Sequence, residues 1–358
     1  MNYITNLEKK LSKYFNRKFC VLTGNGTTAM YLYFKLLKKK SVILFPSITC
    51  VQAVNSAIFA GHKVLFSDVS LNDYNIDFQN FIKIEKKKKL DVVVPTHIFG
   101  HTLNIKKITD FCKKKNIHVL EDATQAMGGT FKNKKIGSFG NASIISFGYS
   151  KILDCGGGGG ILTDDKEIYK KIKMIVQKLP FRTKKNLITF ERYKKYYYRS
   201  DKNTPNKKKF VKKIFTYQKK IKDHLLFKID KTTTKKINYK FSKIKNILSK
   251  RHQNHRLYDK YLDKKNIIFP KLQDGSVSWR FCFLLKNKRD EFVQYLRSKN
   301  IDVSTWYPSL HYLKKYKSSD FKKAIKIDTS IINLWTDEKK RISVLKKDIQ
   351  VINNFFKP

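Results

Sequence analysis

No stretch of this 358-residue chain approaches the roughly 18 consecutive apolar residues of a membrane-spanning helix, so no span is expected. The first residues, Met1-Asn-Tyr-Ile-Thr-Asn-Leu-Glu-Lys-Lys, lack the apolar core of a secretory signal. The five cysteines, at 20, 50, 112, 155 and 282, show no Cys-x-x-Cys spacing, which gives no sign of a metal site and suits reduced thiols. A cytoplasmic location is therefore expected. Acidic residues are scarce, 28 Asp+Glu against 77 Lys+Arg, for a net charge of +49. Arginine is scarce as well, at ten of those 77. Nucleic-acid readers favour arginine for bidentate contacts, so nucleic acid is not expected as a partner. Proline (7) and tryptophan (3) are few, while Lys, Ile, Asn, Phe and Tyr abound. An AT-rich coding bias produces that mixture without selection, and the charge is read as compositional, with an anionic partner as the alternative. What remains is core material: 41% hydrophobic residues, including 26 Phe and 19 Tyr, excludes a wholly disordered chain.

Glycine divides the chain, since fourteen of the fifteen lie at or before Gly160. In that part short apolar runs alternate with helical patterns. Strands are expected at Val42–Phe45, Val64–Phe66, Asp91–Pro95, His118–Glu121, Ser143–Phe147 and Gly160–Thr163, and helices at Thr27–Leu37, Val51–Ala60 and Ile105–Lys115. This alternation predicts an α/β fold with a mainly parallel central sheet, which binds ligands at its strand ends. Residues 181–260 have no glycine and carry 27 basic against five acidic residues, a pattern of basic helices broken by a loop near Asp201–Lys209. Beyond Ile267 the pattern is α+β, with a strand at Ser278–Leu285 and helices at Lys288–Lys299 and Asp337–Phe356. The expected division is a large domain over 1–240, with a basic helical region at about 181–240, and a smaller one over 241–358.

Three segments carry chemistry. Leu22-Thr-Gly-Asn-Gly-Thr-Thr-Ala-Met30 is a glycine turn leading into a helix, where free backbone N–H groups, Gly26 and the hydroxyls of Thr27 and Thr28 form a candidate phosphate cup. In Val119-Leu-Glu-Asp-Ala-Thr-Gln-Ala, Glu121 and Asp122 end a strand and point in opposite directions, so one of them faces the crevice, where a buried acid can hold a cationic ring nitrogen. In Ser143-Ile-Ile-Ser-Phe-Gly-Tyr-Ser-Lys151, followed by Gly156–Gly160, one lysine lies between a strand end and a glycine run. A lysine amine in a partly desolvated site has a lowered pKa and can form a Schiff base.

In this order the motifs resemble the sugar aminotransferases of the DegT/DnrJ/EryC1/StrS family, pyridoxal-phosphate (PLP) enzymes of the aspartate-aminotransferase fold, fold type I. The resemblance covers about Gly24 to Thr163. It includes Phe45-Pro-Ser-Ile-Thr-Cys with Phe66-Ser-Asp, Pro95-Thr-His-Ile-Phe-Gly-His101, Glu121-Asp-Ala-Thr-Gln-Ala, and Gly137-Ser-Phe-Gly-Asn with Ser146-Phe-x₃-Lys151. A later segment, Thr305-Trp-Tyr-Pro-Ser-Leu-His311, is similar to the family's Tyr-Pro-x-x-His.

The resemblance implies that Lys151 holds the cofactor and shuttles the proton, Asp122 pairs with the pyridine nitrogen and Gln125 contacts the ring hydroxyl. It places Gly26, Thr27, Thr28 and Ser146 around the phosphate, and Tyr307 and His311 toward substrate. It implies transfer of an amino group, from glutamate as donor, to a nucleotide-linked keto-sugar, in amino-sugar or surface-polysaccharide biosynthesis, by a homodimer. The basic 181–260 region is then expected near the partner's cofactor and substrate. Relatives that dehydrate sugars replace the lysine with histidine, so Lys151 argues against that alternative; a basic binding protein for nucleic acid or anionic membrane is the other. The sequence departs from the family's pattern at Cys50, where many members have an aromatic residue, and lacks their Asn-x-Arg-Met segment.

Overall fold

A computed structural model describes residues 3–204 and 206–357. The strands of the main sheet are β1 (Phe19–Thr23), β2 (Val42–Pro46), β3 (Lys63–Ser67), β4 (Val92–Val93), β5 (His118–Asp122), β8 (Ala142–Ser146) and β9 (Gly159–Thr163). Between β5 and β8 runs a small hairpin of β6 (Thr130–Phe131) and β7 (Lys134–Lys135). The main sheet has the order β1-β9-β8-β5-β4-β2-β3. Strands β3, β2, β4, β5 and β8 pair in parallel, and β9 runs antiparallel to both β8 and β1. Every residue of β8 and β9 is buried, as apolar runs covered on both faces require.

Helices α1 (Tyr3–Tyr14), α2 (Gly26–Lys35), α3 (Val51–Phe59), α4 (Phe78–Glu85), α5 (Ile105–Lys114) and α6 (Lys166–Lys178) cover this sheet. Their starts are set locally. Asn25, Asp77, Asn104 and Asp165 each accept a backbone N–H of the first turn, replacing bonds the helix cannot make. Then come α7 (Lys184–Asn203) and α8 (Lys207–Ile221), antiparallel partners, followed by α9 (Lys231–Ser242) and α10 (Ile244–Tyr261). Within α8, Phe210, Val211, Ile214, Gln218 and Ile221 are buried, while Lys208, Lys209, Lys212 and Lys213 are exposed. Basic helices there are thus amphipathic, with lysine outward and aromatic and aliphatic residues inward.

The remaining strands, β10 (Ile267–Ile268), β11 (Arg280–Leu285), β12 (Val303–Ser304) and β13 (Ile331–Trp335), form an antiparallel sheet of order β10-β11-β13-β12. It packs with α10, α11 (Arg289–Ser298) and α13 (Ile342–Asn354) around a second apolar core that runs from Tyr258 to Ile352. Helix α12 (Lys322–Ser330) is instead tied to the main sheet: the backbone N–H groups of Lys323 and Ala324 donate to Asp68 at 3.2 and 2.9 Å. The expected boundary at 240/241 falls inside α9, and the second core draws on residues from α10 onward. The loop expected at 201–209 is narrower, because α7 continues to Asn203 and α8 starts at Lys207.

Candidate active site

The carboxyl ends of β2, β5 and β8 meet the start of α2 at one cavity of about 380 Å³. Of the residues singled out in the sequence, Gly26, Thr27, Asp122, Ser146, Lys151 and Tyr307 all line it. Strand geometry explains the choice between the two carboxylates, because neighbours on β5 point to opposite faces. Asp122 is 2% exposed and accepts Thr124 N at 3.0 Å and the Thr96 hydroxyl at 3.5 Å. Glu121 points the other way and is fully buried. It accepts the N–H groups of Gly137 (2.7 Å), Phe139 (2.9 Å) and Gly140 (3.3 Å), the Ser143 hydroxyl (3.1 Å) and His97 Nε2 (3.2 Å). Burial pushes its carboxyl up, but His97 and these amides outweigh burial and hold it below the ordinary range. The Gly137-Ser-Phe-Gly block therefore clamps Glu121 and does not line the cavity.

Lys151 follows β8 in a turn held on both sides by Asp154, which accepts Ser150 N and Gly156 N, each at 2.9 Å. Ser150 is in the left-handed region (φ 63°), a conformation non-glycine residues rarely adopt, and its carbonyl accepts Trp279 Nε1 at 2.6 Å. The lysine Nζ donates to Thr124 Oγ1 at 3.5 Å and lies 5.4 Å from the Trp279 ring centroid. Burial lowers its pKa, the Arg280 charge adds to that, and Cys50 and Asp122 oppose it. Arg280 was not anticipated. It is 1% exposed, and its guanidinium carbon lies 4.3 Å from the Trp279 ring centroid and 3.4 Å from that of Trp335. Its Nε and Nη2 have no hydrogen-bond partner among the described residues.

The cup at α2 is shaped by missing side chains. A Cβ on Gly26 would meet Ser146 Cβ at 3.2 Å, and one on Gly159 would lie 2.4 Å from Gly26 N. Asn25 caps Thr28 N at 2.7 Å, and the cavity lining includes Gly26, Thr27 and the Ser146 side of β8. A helix start, a hydroxyl and small residues suit a phosphate. An amine and a carboxylate in the same cavity suit an aldehyde carbon and a protonated ring nitrogen. Gln125 stands behind the wall: its Oε1 accepts Phe99 N at 2.8 Å, and its buried Nε2 is a donor with no partner among the described residues. The donor set fits a phosphorylated pyridine aldehyde.

Besides Gln125, two more expected residues lie outside the wall. Thr28 turns its hydroxyl to the Leu225 carbonyl at 2.7 Å, a bond that takes it from the cup. His311 makes a 2.6 Å hydrogen bond with Ser309 and stacks on Phe321 at 4.6 Å, and burial pushes its pKa down to about 4. Conversely, the sequence reading missed Thr49, Thr124, Arg182, Trp306 and the inner face of α7, which all line the cavity. The aromatic spacing Phe190, Tyr193, Tyr197 was the signal for that face. Of the basic region, residues between Arg182 and Phe227 line this chain's own cavity.

The model for the DegT/DnrJ/EryC1/StrS aminotransferase family matches residues 2–336. The chain belongs to this family. It is 28% identical over 174 residues to GDP-perosamine synthase of Escherichia coli O157:H7, covering 48% of this chain and 47% of that protein. To the UDP-4-amino-4,6-dideoxy-N-acetyl-beta-L-altrosamine transaminase of Campylobacter jejuni subsp. jejuni serotype O:23/36 (strain 81-176) it is 28% identical over 175 residues, 48% of this chain and 46% of that one. GDP-4-keto-6-deoxy-D-mannose 3-dehydratase of E. coli O55:H7 matches at 29% over 175 residues, 47% of this chain and 45% of that one. The chain thus aligns with about half the length of these curated relatives. Among solved structures, the Helicobacter pylori PseC aminotransferase superposes with a TM-score of 0.80 at 18% identity, covering 99% of this chain and 91% of that one. The E. coli GDP-4-keto-6-deoxy-D-mannose-3-dehydratase gives 0.75 at 21% identity, covering 98% and 92%. These likenesses show the fold, which is that of the family's PLP-dependent enzymes.

Proposed function

We propose that the chain is a PLP-dependent aminotransferase that moves an amino group, with glutamate as donor, onto a keto-sugar carried by a nucleotide. The observation that carries this reading is Lys151 sharing one cavity with Asp122 and with the Gly26–Thr27–Ser146 cup. Bound PLP supplies an aldehyde that condenses with amines and a ring that accepts the electron pair of a cleaved C–H bond. Asp122 keeps a proton on the ring nitrogen, and Gly26, Thr27 and Ser146 hold the phosphate. Lys151 Nζ, with its proton affinity lowered by burial, takes a proton at the donor's carbon and returns one at the acceptor's. The exchange balances as donor amine plus acceptor ketone giving keto acid plus amino-sugar. The dehydratases among the relatives offer a second outcome on the same fold, and a lysine at 151 rather than histidine favours transamination. Location in the cytoplasm and homodimeric assembly are proposed on the family resemblance; among the described residues no helix is long and apolar enough to cross a membrane.

Borohydride reduction followed by peptide mass spectrometry tests the reading. A single pyridoxyl mass on Lys151, absent from folded Lys151→Ala, is the expected result. Labelling of another lysine, or of none, would overturn it.

A further inference from the structure

Helices α7 and α8 are fixed to the cup and the body of their own chain. Arg182, just before α7, donates to the Gly156 carbonyl at 3.3 Å, and Asn186 ties α7 to the segment after α8 by donating to the His224 carbonyl at 3.1 Å. After α8, the Leu225–Phe227 strap is built into the α2 turn. The Leu225 carbonyl accepts Asn25 Nδ2 at 2.9 Å and the Thr28 hydroxyl at 2.7 Å, and the Phe227 carbonyl accepts Gly24 N at 2.9 Å. A Cβ on Gly24 would lie 2.1 Å from the Phe227 ring, so this glycine exists where the strap comes closest. Gln218, wholly buried on α8, donates to the Tyr193 hydroxyl at 2.6 Å and accepts Asn55 of α3.

The face so held over the cavity is aromatic. Phe190, Tyr193, Tyr197 and Tyr198 line it from α7. Tyr198 stacks on Trp306, two residues after β12 (centroids 6.3 Å, 29°), and Tyr197 meets the same ring edge-on at 6.4 Å. Tyr198 is 40% exposed, so the pair stands at the rim. The α8 lysines 208, 209, 212 and 213 are exposed and do not line the cavity. Aromatic faces carry negative potential and attract C–H bonds, which suits the apolar face of a pyranose ring.

We infer that α7 and α8 cover this chain's own site in cis, and that Tyr198 with Trp306 forms the wall against which the acceptor's sugar ring lies. The second part rests on the aminotransferase reading above. The first does not, because it concerns only which chain supplies the cover.

Two measurements separate the parts. In Tyr198→Cys/Trp306→Cys, a short bis-maleimide should join the two positions within one chain, confirmed by peptide mapping to exclude Cys50 and Cys155. A monomer-mass product on a denaturing gel is expected; a dimer-mass product joined through 198 and 306 would overturn the cis cover. In Tyr198→Ala, acceptor KM should rise about tenfold while Tyr198→Phe stays near wild type. The Lys151-bound cofactor band and its bleaching by glutamate should be unchanged in both. An unchanged acceptor KM with a normal band would overturn the wall, whereas a wild-type protein with no band would sink the aminotransferase reading and leave the cis cover standing.

Discussion

Glu121 and Asp122 differ by one position and do unrelated work. Glu121 is a buried acceptor for five groups, and its replacement leaves several donors unsatisfied. Glu121→Gln is therefore expected to lower unfolding free energy by about 2–4 kcal/mol while the folded fraction keeps its kcat. Asp122→Asn should barely change stability and should lower kcat by about a hundredfold or more, since an amide cannot hold the ring-nitrogen proton. Denaturant melts paired with single-turnover rates distinguish the two; equal kinetic losses would mean Asp122 is not the ring's partner. The pH sign follows from the depressed Glu121 carboxyl. Its contribution is complete above the unfolded value of about 4.3 and is lost as pH falls toward the folded value, so the Glu121→Gln penalty should shrink in acid. At this scale the meeting of Lys151, Gly26 and Thr27 at one cavity is legible from a strand end and glycines, whereas Asp122 over Glu121, and Ser146, follow from the family resemblance. The positions of Thr28 and His311 were not legible. Their partners, Leu225 and Phe321, act through folding of the chain and not through the motif.

Among the elements, the parallel strands could be read because each is a short apolar run between helical patterns. Strand β1, Phe19–Thr23, escaped because it pairs antiparallel at the sheet edge with β9, a partner about 140 residues away. Helices α7 and α8 were read as a basic surface because lysine dominates their composition. Only the burial of Phe210, Val211, Ile214 and Gln218 reveals which face turns inward. Gln218 joins the cover to the body, so Gln218→Ala should leave the Tyr193 hydroxyl and the Asn55 amide without their partner. The expected cost is about 1–3 kcal/mol, confined to the cover. Hydrogen exchange should then speed up in α7 and α8 with protection of β5 and β8 unchanged. Uniform acceleration across the sheet would show that the cover is not a separate cooperative unit.

For the whole molecule, less than half of the +49 net charge lies in residues 181–260, and there the α8 lysines and the cover occupy different faces of the helix. Lysines face solvent on α8, and among the described basic side chains of the 181–260 region Arg182, Lys194 and His224 line the cavity. The composition thus says little about the substrate, and the aromatic inner face says more. The same placement bears on assembly. In a homodimer whose sites are each completed by the partner, a hybrid of Lys151→Ala with Tyr198→Ala regains one whole site, Lys151 from one subunit and the wall from the other. In a homodimer covered in cis, neither site of the hybrid is whole. Hybrids isolated by two tags and assayed below the acceptor KM should therefore show no more than half the rate of the Tyr198→Ala homodimer. Recovery to about half the wild-type rate, one restored site in two, would place the cover in trans. Should no hybrid form while each wild-type chain is active at high dilution, the chain works alone, and a cover supplied by its own α7 and α8 is the arrangement that permits it.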